Sequence, residues 1–463
     1  MTQTLSVHAP WDGRHLDTLP VSTEAQVEDA FAKAHALFRD RRRWLPKIER
    51  VAILRRAAAI ARNRRESLAL QVASESGKPL RDALIEIDRG IDGIELCVET
   101  LRGEGGHVIP MDLNATSAGR VAFTQMEPIG VVLGLAAFNH PFNLVIHQVA
   151  PAVAAGAPVI VKPSPKTPLS CRAVVEIFHE AGLPPDWVQM VLPLDTGVIG
   201  RMVADPRLGF LSFIGSAAVG WKLRAMLAPG ARCALEHGGV APVIVAADAD
   251  LAQAIPRLGR AGFWHAGQAC VSVQRIFCAR GILDDLTAGL SQVADRMVIG
   301  DPTRPETEVG PIITHAEADR IASWVAASGA QIATGGKRLS PSTYANTVLV
   351  NPDPMADVSR REVFGPVVCL YPYDDIDTAI ATANDLPFSF QAAVFSRNID
   401  TAMHCFRHLD GTAVMVNEHP LFRVDWMPFA GARQSGLGIG GIPHSIRDMQ
   451  TEKMMVWRSD ALN

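Results

Sequence analysis

The chain has 463 residues, 48% hydrophobic and 20% charged, with a formal net charge of −4. At roughly 150 residues per domain this is about two to four domains, and so much apolar material excludes a disordered chain. The mild acidic balance offers no basic face for nucleic acid, and Arg39-Asp40-Arg41-Arg42-Arg43 reads as a solvated helix end.

Residues 1 to about 100 read as mainly helical. Thr23-Glu24-Ala25-Gln26 forms a capping-box pattern, after which Val27, Phe31, Ala34 and Leu37 recur at helical spacing. A second long helix is expected from about Ile48 to Ser76, stopped by Gly77 and Pro79. Residues 108–125 turn β-like and polar, as an extended arm would.

From Glu127 the pattern repeats strand, loop and helix. Strands are expected at Val131–Ala137, Pro158–Val161, Val188–Leu192 and Leu208–Ile214, with helices at Asn143–Ala155 and Pro168–Ala181. Apolar runs alternating with helices predict an α/β fold with a parallel sheet covered on both faces. Such a sheet binds ligands at the carboxyl ends of its strands. A second α/β block runs from about Ala241 to Asn417, with strands at Pro242–Ala246, Arg275–Ala279, Val367–Tyr371 and Ala392–Ser396. Gly238-Gly239 is the expected hinge. Met449–Trp457 reads as a terminal strand, which must pair with something.

The one Gly-x-Gly-x-x-Gly, at residues 436–441, follows no buried strand and has too few residues after it for a βαβ unit. It reads as a flexible loop. A better phosphate site is the turn Phe213-Ile214-Gly215-Ser216, where a strand opens into a helix carrying Val219. Helix-start N–H groups favour anions, Gly215 permits the tight turn, and Ser216 can cap or donate. By itself this is also an ordinary capped helix. Lys162 stands at the carboxyl end of the second strand, either as a rim lysine or as a donor to ribose and phosphate.

Everything is arranged around Phe263-Trp264-His265-Ala266-Gly267-Gln268-Ala269-Cys270-Val271-Ser272. With it go Ala137-Phe138-Asn139-His140-Pro141, Leu235-Glu236-His237-Gly238-Gly239, Glu362-Val363-Phe364-Gly365-Pro366 and Pro428-Phe429-Ala430-Gly431. In that order these segments resemble the aldehyde dehydrogenase superfamily along nearly the whole chain. The resemblance implies NAD(P)-dependent oxidation of an aldehyde to a carboxylic acid. Cys270 would be the nucleophile, because a thiolate adding to the carbonyl creates the carbon that can release hydride. Asn139 and the Cys270 backbone N–H would hold the oxyanion. Glu236, 34 residues before Cys270 as in the family, would be the base that hydrolyses the thioester. Lys162, Gly215, Ser216, Val219, Glu362 and Phe364 would bind the cofactor, with Glu362 on the nicotinamide ribose and Phe364 on its ring. His237 is read as packing.

The resemblance further implies a cofactor domain over 1–106 and 127–239, a catalytic domain over 240–425, and a small β arm over 107–126 and 442–463. The arm would join subunits into a homodimer or homotetramer. Many NAD-preferring members carry Glu three residues after the strand-end lysine. Here Pro165 stands there, followed by Lys166, so NADP is expected to be tolerated alongside NAD.

Residues 417–428 should form the substrate funnel. Their Phe-Arg-x-Asp-x-Met-Pro pattern looks most like members acting on lactaldehyde or on phosphonate- or sulfonate-bearing aldehydes. Arg423 either binds such an anion or pairs with Asp425. Three other readings compete: a His265–Cys270 hydrolase, a CoA-acylating dehydrogenase, and a non-catalytic binding protein. Seven scattered cysteines without a Cys-x-x-Cys pair argue against disulfides and a metal site. There is no signal-peptide pattern and no apolar run near the ~20 residues needed to span a bilayer, so a cytoplasmic location without membrane partner is expected.

Overall fold

The computed structural model describes residues 3–462. It opens with a hairpin, β1 (Thr4–His8) and β2 (His15–Pro20), which the helical reading of residues 1–100 does not contain. Its turn holds Asp12-Gly13, with Gly13 at φ 72°, the dipeptide that favours tight hairpins. Helix α1 (Glu24–Arg39) carries the full capping box at Thr23 and Gln26. The expected helix over 48–76 is two, α2 (Lys47–Asn63) and α3 (Arg65–Ser76), broken at Arg64. The break lets Leu54, Ala57 and Ala61 on one segment and Ala69, Val72 and Ala73 on the other face the same core. Helix α4 (Leu80–Gly103) closes this layer.

Strands β3 (Val108–Ile109) and β4 (Arg120–Pro128) begin the arm. The chain then winds through β5 (Val131–Leu135), α5 (Asn143–Ala155), β6 (Val159–Lys162), α6 (Pro168–Glu180) and β7 (Val188–Met190). It continues through α7 (Thr196–Val203), β8 (Leu208–Ile214), α8 (Ala217–Met226) and β9 (Arg232–Glu236). Strands β5 to β9 form a parallel sheet in the order β9-β8-β5-β6-β7. Every residue of β5 and of α5 is buried, so both read as unbroken apolar runs.

The second block contains β10 (Val243–Val245), α9 (Leu251–Phe263), β11 (Arg275–Ala279), α10 (Leu283–Arg296) and α11 (His315–Ala326). Then follow β12 (Gln331–Thr334), β13 (Thr347–Val350), α12 (Asp357–Arg360), β14 (Val367–Tyr373) and α13 (Ile376–Asn384). After β15 (Phe388–Ser389) come β16 (Gln391–Phe395), α14 (Ile399–His408) and β17 (Ala413–Val416). The sheet order is β12-β13-β14-β11-β10-β16-β17, parallel except at β12. Strands β12, β13 and β17 are absent from the sequence reading, because each is only four residues long and sits near an edge.

The chain returns through β18 (Ala432–Arg433), β19 (Gly436–Leu437), α15 (Ile442–Asp448) and β20 (Gln450–Arg458). Strand β20 pairs antiparallel with β4 over nine residues. Residues 442–448, grouped with the arm by sequence, are instead a helix whose Ile442 and Ile446 belong to the core under α4 and α5. Strand β19 adds antiparallel to the edge of β9. Of the glycine-rich stretch at 436–441, read as a flexible loop, Gly436 and Leu437 are therefore an ordered edge of the first sheet, and Gly440 bridges to Phe429. Among the described residues no helix is long and apolar enough to cross a membrane.

Candidate active site

A cavity of about 1320 Å³ runs between the carboxyl edges of the two sheets. Asn139, Glu236, Cys270 and Arg423 line its middle and one end, while Lys162, Gly215, Ser216, Val219, Glu362 and Phe364 line the rest. Residues spread over nearly 300 positions thus meet on one wall because parallel strands all end there.

Helix α9 stops at Phe263, and the backbone then takes three left-handed residues in succession, His265 (φ 48°), Ala266 (φ 54°) and Gly267 (φ 70°). Only glycine fits at 267, since any Cβ there would run into the carbonyl oxygen of Gly365. Buried Gln268 ties this turn down. Its Nε2 donates to the carbonyls of His265 and Pro311, both at 3.1 Å, and its Oε1 accepts from the Ile313 N–H at 2.9 Å. The Gln268 carbonyl accepts from Asn139 Nδ2 at 3.0 Å. One N–H of the Asn139 amide is spent in holding the side chain beside the Cys270 loop, and the other remains available.

The Cys270 thiol is pushed up to about 12, chiefly by burial and next by the negative charge of Glu362, against the pull of Arg423. His265 is wholly buried, lies off the cavity wall, and neither ring nitrogen has a partner. The hydrolase dyad is thereby excluded. Cys278 is buried in the core, as its strand position implies.

Glu236 is the last residue of β9, half-buried and opposite Gly436. Gly440 passes so close that a Cβ there would lie 2.5 Å from Glu236 Oε1. His237 also lines the cavity, its Nδ1 bonding the Gln434 carbonyl at 2.9 Å and its ring lying between those of Phe213 and Trp221. Glu362 is half-buried with its Oε1 enclosed and without a partner, and desolvation pushes its carboxyl up to about 8. An orphaned acceptor on the cavity wall fits a group bearing hydroxyls, as a ribose does. Phe364 holds φ 49° and meets Phe138 edge-on at 5.8 Å.

At the other end, the Gly215 N–H is already bonded to the Glu236 carbonyl at 3.0 Å. Gly215 therefore shapes the turn, and Ser216 is the next residue along it with a side-chain donor. Ser216 occupies the N-cap position of α8 with extended backbone, yet its side chain makes no capping bond, which leaves Oγ free. Lys162 donates to the Pro163 carbonyl at 2.8 Å, and burial pushes its ammonium down to about 8. Ser164, Pro165 and Lys222 line this end, and no described carboxylate does.

The substrate end is cationic. Asp425 is buried and accepts from Arg89 through both oxygens at 2.7 and 3.0 Å, and from His147 Nε2 at 2.9 Å. Arg423 Nε lies 3.6 Å from Asp425, makes no hydrogen bond, and its guanidinium stacks over Phe429 at 3.6 Å. Of the two roles left open for Arg423, pairing with Asp425 is the weaker, because Asp425 is saturated by others. Arg89, His140, Arg260 and His419 also line this end. His419 belongs to the expected funnel and His140 to the Asn139 motif, though neither was assigned a role, while Arg89 and Arg260 were missed by the sequence reading. Arg89 lies on α4, far from any motif, and only the packing of α4 against α5 brings it here. The expected funnel is only partly formed by 417–428, since Asn417 braces Ser396 and Trp426 faces solvent.

A family model described as the aldehyde dehydrogenase family matches residues 1–455. The chain is 34% identical over 442 residues to 3-sulfolactaldehyde dehydrogenase of Priestia aryabhattai, covering 95% of this chain and 91% of that one. Among solved structures it resembles glyceraldehyde-3-phosphate dehydrogenase of Methanocaldococcus jannaschii complexed with NADP, with a TM-score of 0.94 and 29% identity over 99% of this chain and all of that one. It likewise resembles an NAD-dependent aldehyde dehydrogenase of Sinorhizobium meliloti, with a TM-score of 0.93 and 30% identity over 98% and 91% of the two chains.

Proposed function

The chain belongs to the aldehyde dehydrogenase family and is an NAD(P)-dependent enzyme acting on an aldehyde; from that premise we propose that it oxidises a short aldehyde carrying an anionic group to the carboxylic acid, with water as the acyl acceptor. The observation that carries this is the single cavity joining Cys270, Glu236 and Glu362 to Arg89 and Arg423. Arg423 is a buried cation without a hydrogen-bonding carboxylate, and an anionic ligand would complete it.

In the proposed sequence the Cys270 thiol gives its proton to solvent water and its sulfur adds to the carbonyl carbon, giving the oxyanion of a thiohemiacetal. The free N–H of Asn139 and the Cys270 backbone N–H stabilise the oxyanion. A bound nicotinamide would supply the hydride acceptor for that carbon. Ser216 and Lys162 would hold the phosphates and adenosine ribose, while Glu362 and Phe364 would fix the nicotinamide half. Glu236 then takes a proton from water as it attacks the thioester, and Cys270 leaves as thiolate. A thiol pushed up to about 12 is a poor nucleophile alone, so ionisation needs neighbouring positive charge and a base.

Water is preferred to CoA because Glu236 stands on the cavity wall with its carboxylate free for general-base work. NADP is proposed to be accepted, since the ribose end offers Lys222 and no carboxylate. The first sheet with its helices serves as the cofactor domain, the second block as the catalytic domain. Strand β20 exposes Met454, Met455, Val456 and Trp457 beside Val121 and Phe123 of β4, and this face would join subunits into dimers or tetramers in the cytoplasm.

The test is nicotinamide reduction without CoA, using sulfonate, phosphonate, carboxylate and uncharged aldehydes with NAD and NADP separately. Turnover of anionic aldehydes that disappears in Cys270→Ala supports the proposal. Glu236→Gln should give one burst of reduced cofactor per site and then stall. Turnover only after CoA is added would overturn the assignment to water.

A further inference from the structure

Beneath the cationic wall lies a buried ion pair that the proposed chemistry does not use. Lys78, just past the end of α3, is fully buried, and its ammonium contacts Glu86 of α4 and, at 3.0 Å, Nδ1 of His140. Glu86 Oε1 accepts from the backbone N–H groups of Phe142 (2.9 Å) and Asn143 (3.1 Å) at the start of α5. The indole of Trp264 stacks on the imidazole at 5.3 Å. His140 lines the cavity next to Asn139. Lys78 and Glu86 are not part of the cavity wall.

An ammonium has three donors and no lone pair, so Nδ1 of His140 has to accept. Burial works against the lysine's charge, and the contact with Glu86 is what opposes it and favours the ammonium. Burial first, and then the cations Lys78, Arg89 and Arg423, disfavour a protonated His140, although Glu86 Oε2 lies 3.8 Å from Nδ1. The ring is therefore neutral and carries its single proton on Nε2, which bonds to no described residue.

We propose that Lys78 is a positioning residue that locks His140 in the Nε2–H tautomer, turning the ring into a hydrogen-bond donor for the anionic group of the aldehyde. This rests on the anionic-substrate reading above. Without Lys78 the nearest charge to Nδ1 is Glu86, whose Oε2 lies 3.8 Å away. Nδ1 would then keep the proton, and Nε2 would present a lone pair to an anion unless the ring became an imidazolium.

Two measurements test this, one independent of any substrate. Solid-state ¹⁵N spectra of histidine-labelled enzyme, with His140→Phe to assign the signals, should show His140 protonated at Nε2 only. A ring protonated at Nδ1 only, or at both nitrogens, overturns the tautomer claim whatever the substrate. The second is KM for an anionic aldehyde and an uncharged one of equal length at about pH 6 and about pH 8.5. Lys78→Met should raise the ratio of anionic to uncharged KM about tenfold at the higher pH and much less at the lower, where the imidazolium restores the donor. In the His140→Phe background the same substitution should leave that ratio unmoved. Lys78→Met/Glu86→Gln removes the unpaired carboxylate and supplies an amide donor for Nδ1, so it should recover the ratio even if the single variant folds poorly. A pH-independent loss shared by both aldehydes, or one persisting without His140, overturns the proposal. If no anionic aldehyde is turned over at all, the substrate reading fails while the spectrum still decides the tautomer.

Discussion

Replacing Arg423 with Met separates substrate recognition from folding. The guanidinium is only 11% exposed, stacks on Phe429, and lies 3.6 Å from an Asp425 already held by Arg89 and His147. Little ion pairing is lost with it, and Met keeps most of the contact with the ring. Burial already works against its charge, pushing its acidity up. The stability of Arg423→Met should accordingly stay within about 1 kcal/mol of the parent, or rise. Binding behaves differently. A hydrogen bond to a charged group is worth about 1.5–3 kcal/mol, and at about 1.4 kcal/mol per decade its loss lowers kcat/KM roughly 10- to 150-fold. That loss should fall on sulfonate, phosphonate or carboxylate aldehydes and be far smaller for an uncharged aldehyde of the same length. Steady-state kinetics on the two substrates, with urea unfolding alongside, measures both. Equal losses on both aldehydes, or a stability drop of several kcal/mol, would refute the reasoning, because Arg423 would then be a structural cation.

Three further outcomes follow from the same geometry. Cys270, pushed up to about 12, should react with iodoacetamide in the cofactor-free enzyme on the order of a thousandfold more slowly at neutral pH than an ordinary thiol, as peptide mass spectrometry would show. Glu362 has its carboxyl raised to about 8, so it is largely neutral below that pH and a full acceptor above it. Cofactor binding, followed by fluorescence quenching, should tighten as pH rises through about 8, and Glu362→Gln should flatten that dependence. Gln268→Ala removes three buried hydrogen bonds of the nucleophile loop, at about 3 kcal/mol in stability, and kcat should fall at least tenfold through loss of Asn139 positioning.

Much of this site was legible before any coordinates. The nucleophile loop could be found because a Gly-Gln pair behind an amphipathic helix is a local signal, and its left-handed turn and anchoring glutamine are encoded within a few residues. The strands β5, β8 and β11 were readable from buried apolar runs for the same reason. Local signals failed where partners decide the structure. The four-residue strands β12, β13 and β17 exist only because a sheet edge offers them hydrogen bonds. Gly436-Leu437 looked like a loose loop because nothing nearby in sequence announces the β9 edge it pairs with.

The sequence by itself determined the fold class, the family resemblance, and the side chains proposed as nucleophile, base and oxyanion donor, since those reside in short contiguous motifs. Tertiary structure alone decided who holds Asp425, what leaves Arg423 without a partner, and which nitrogen of His140 meets Lys78. Those answers depend on distances between segments up to 336 residues apart. At such separations no periodicity carries the information, and only the packing of α4 against α5, with the 423–425 loop folded over them, brings the charges within reach.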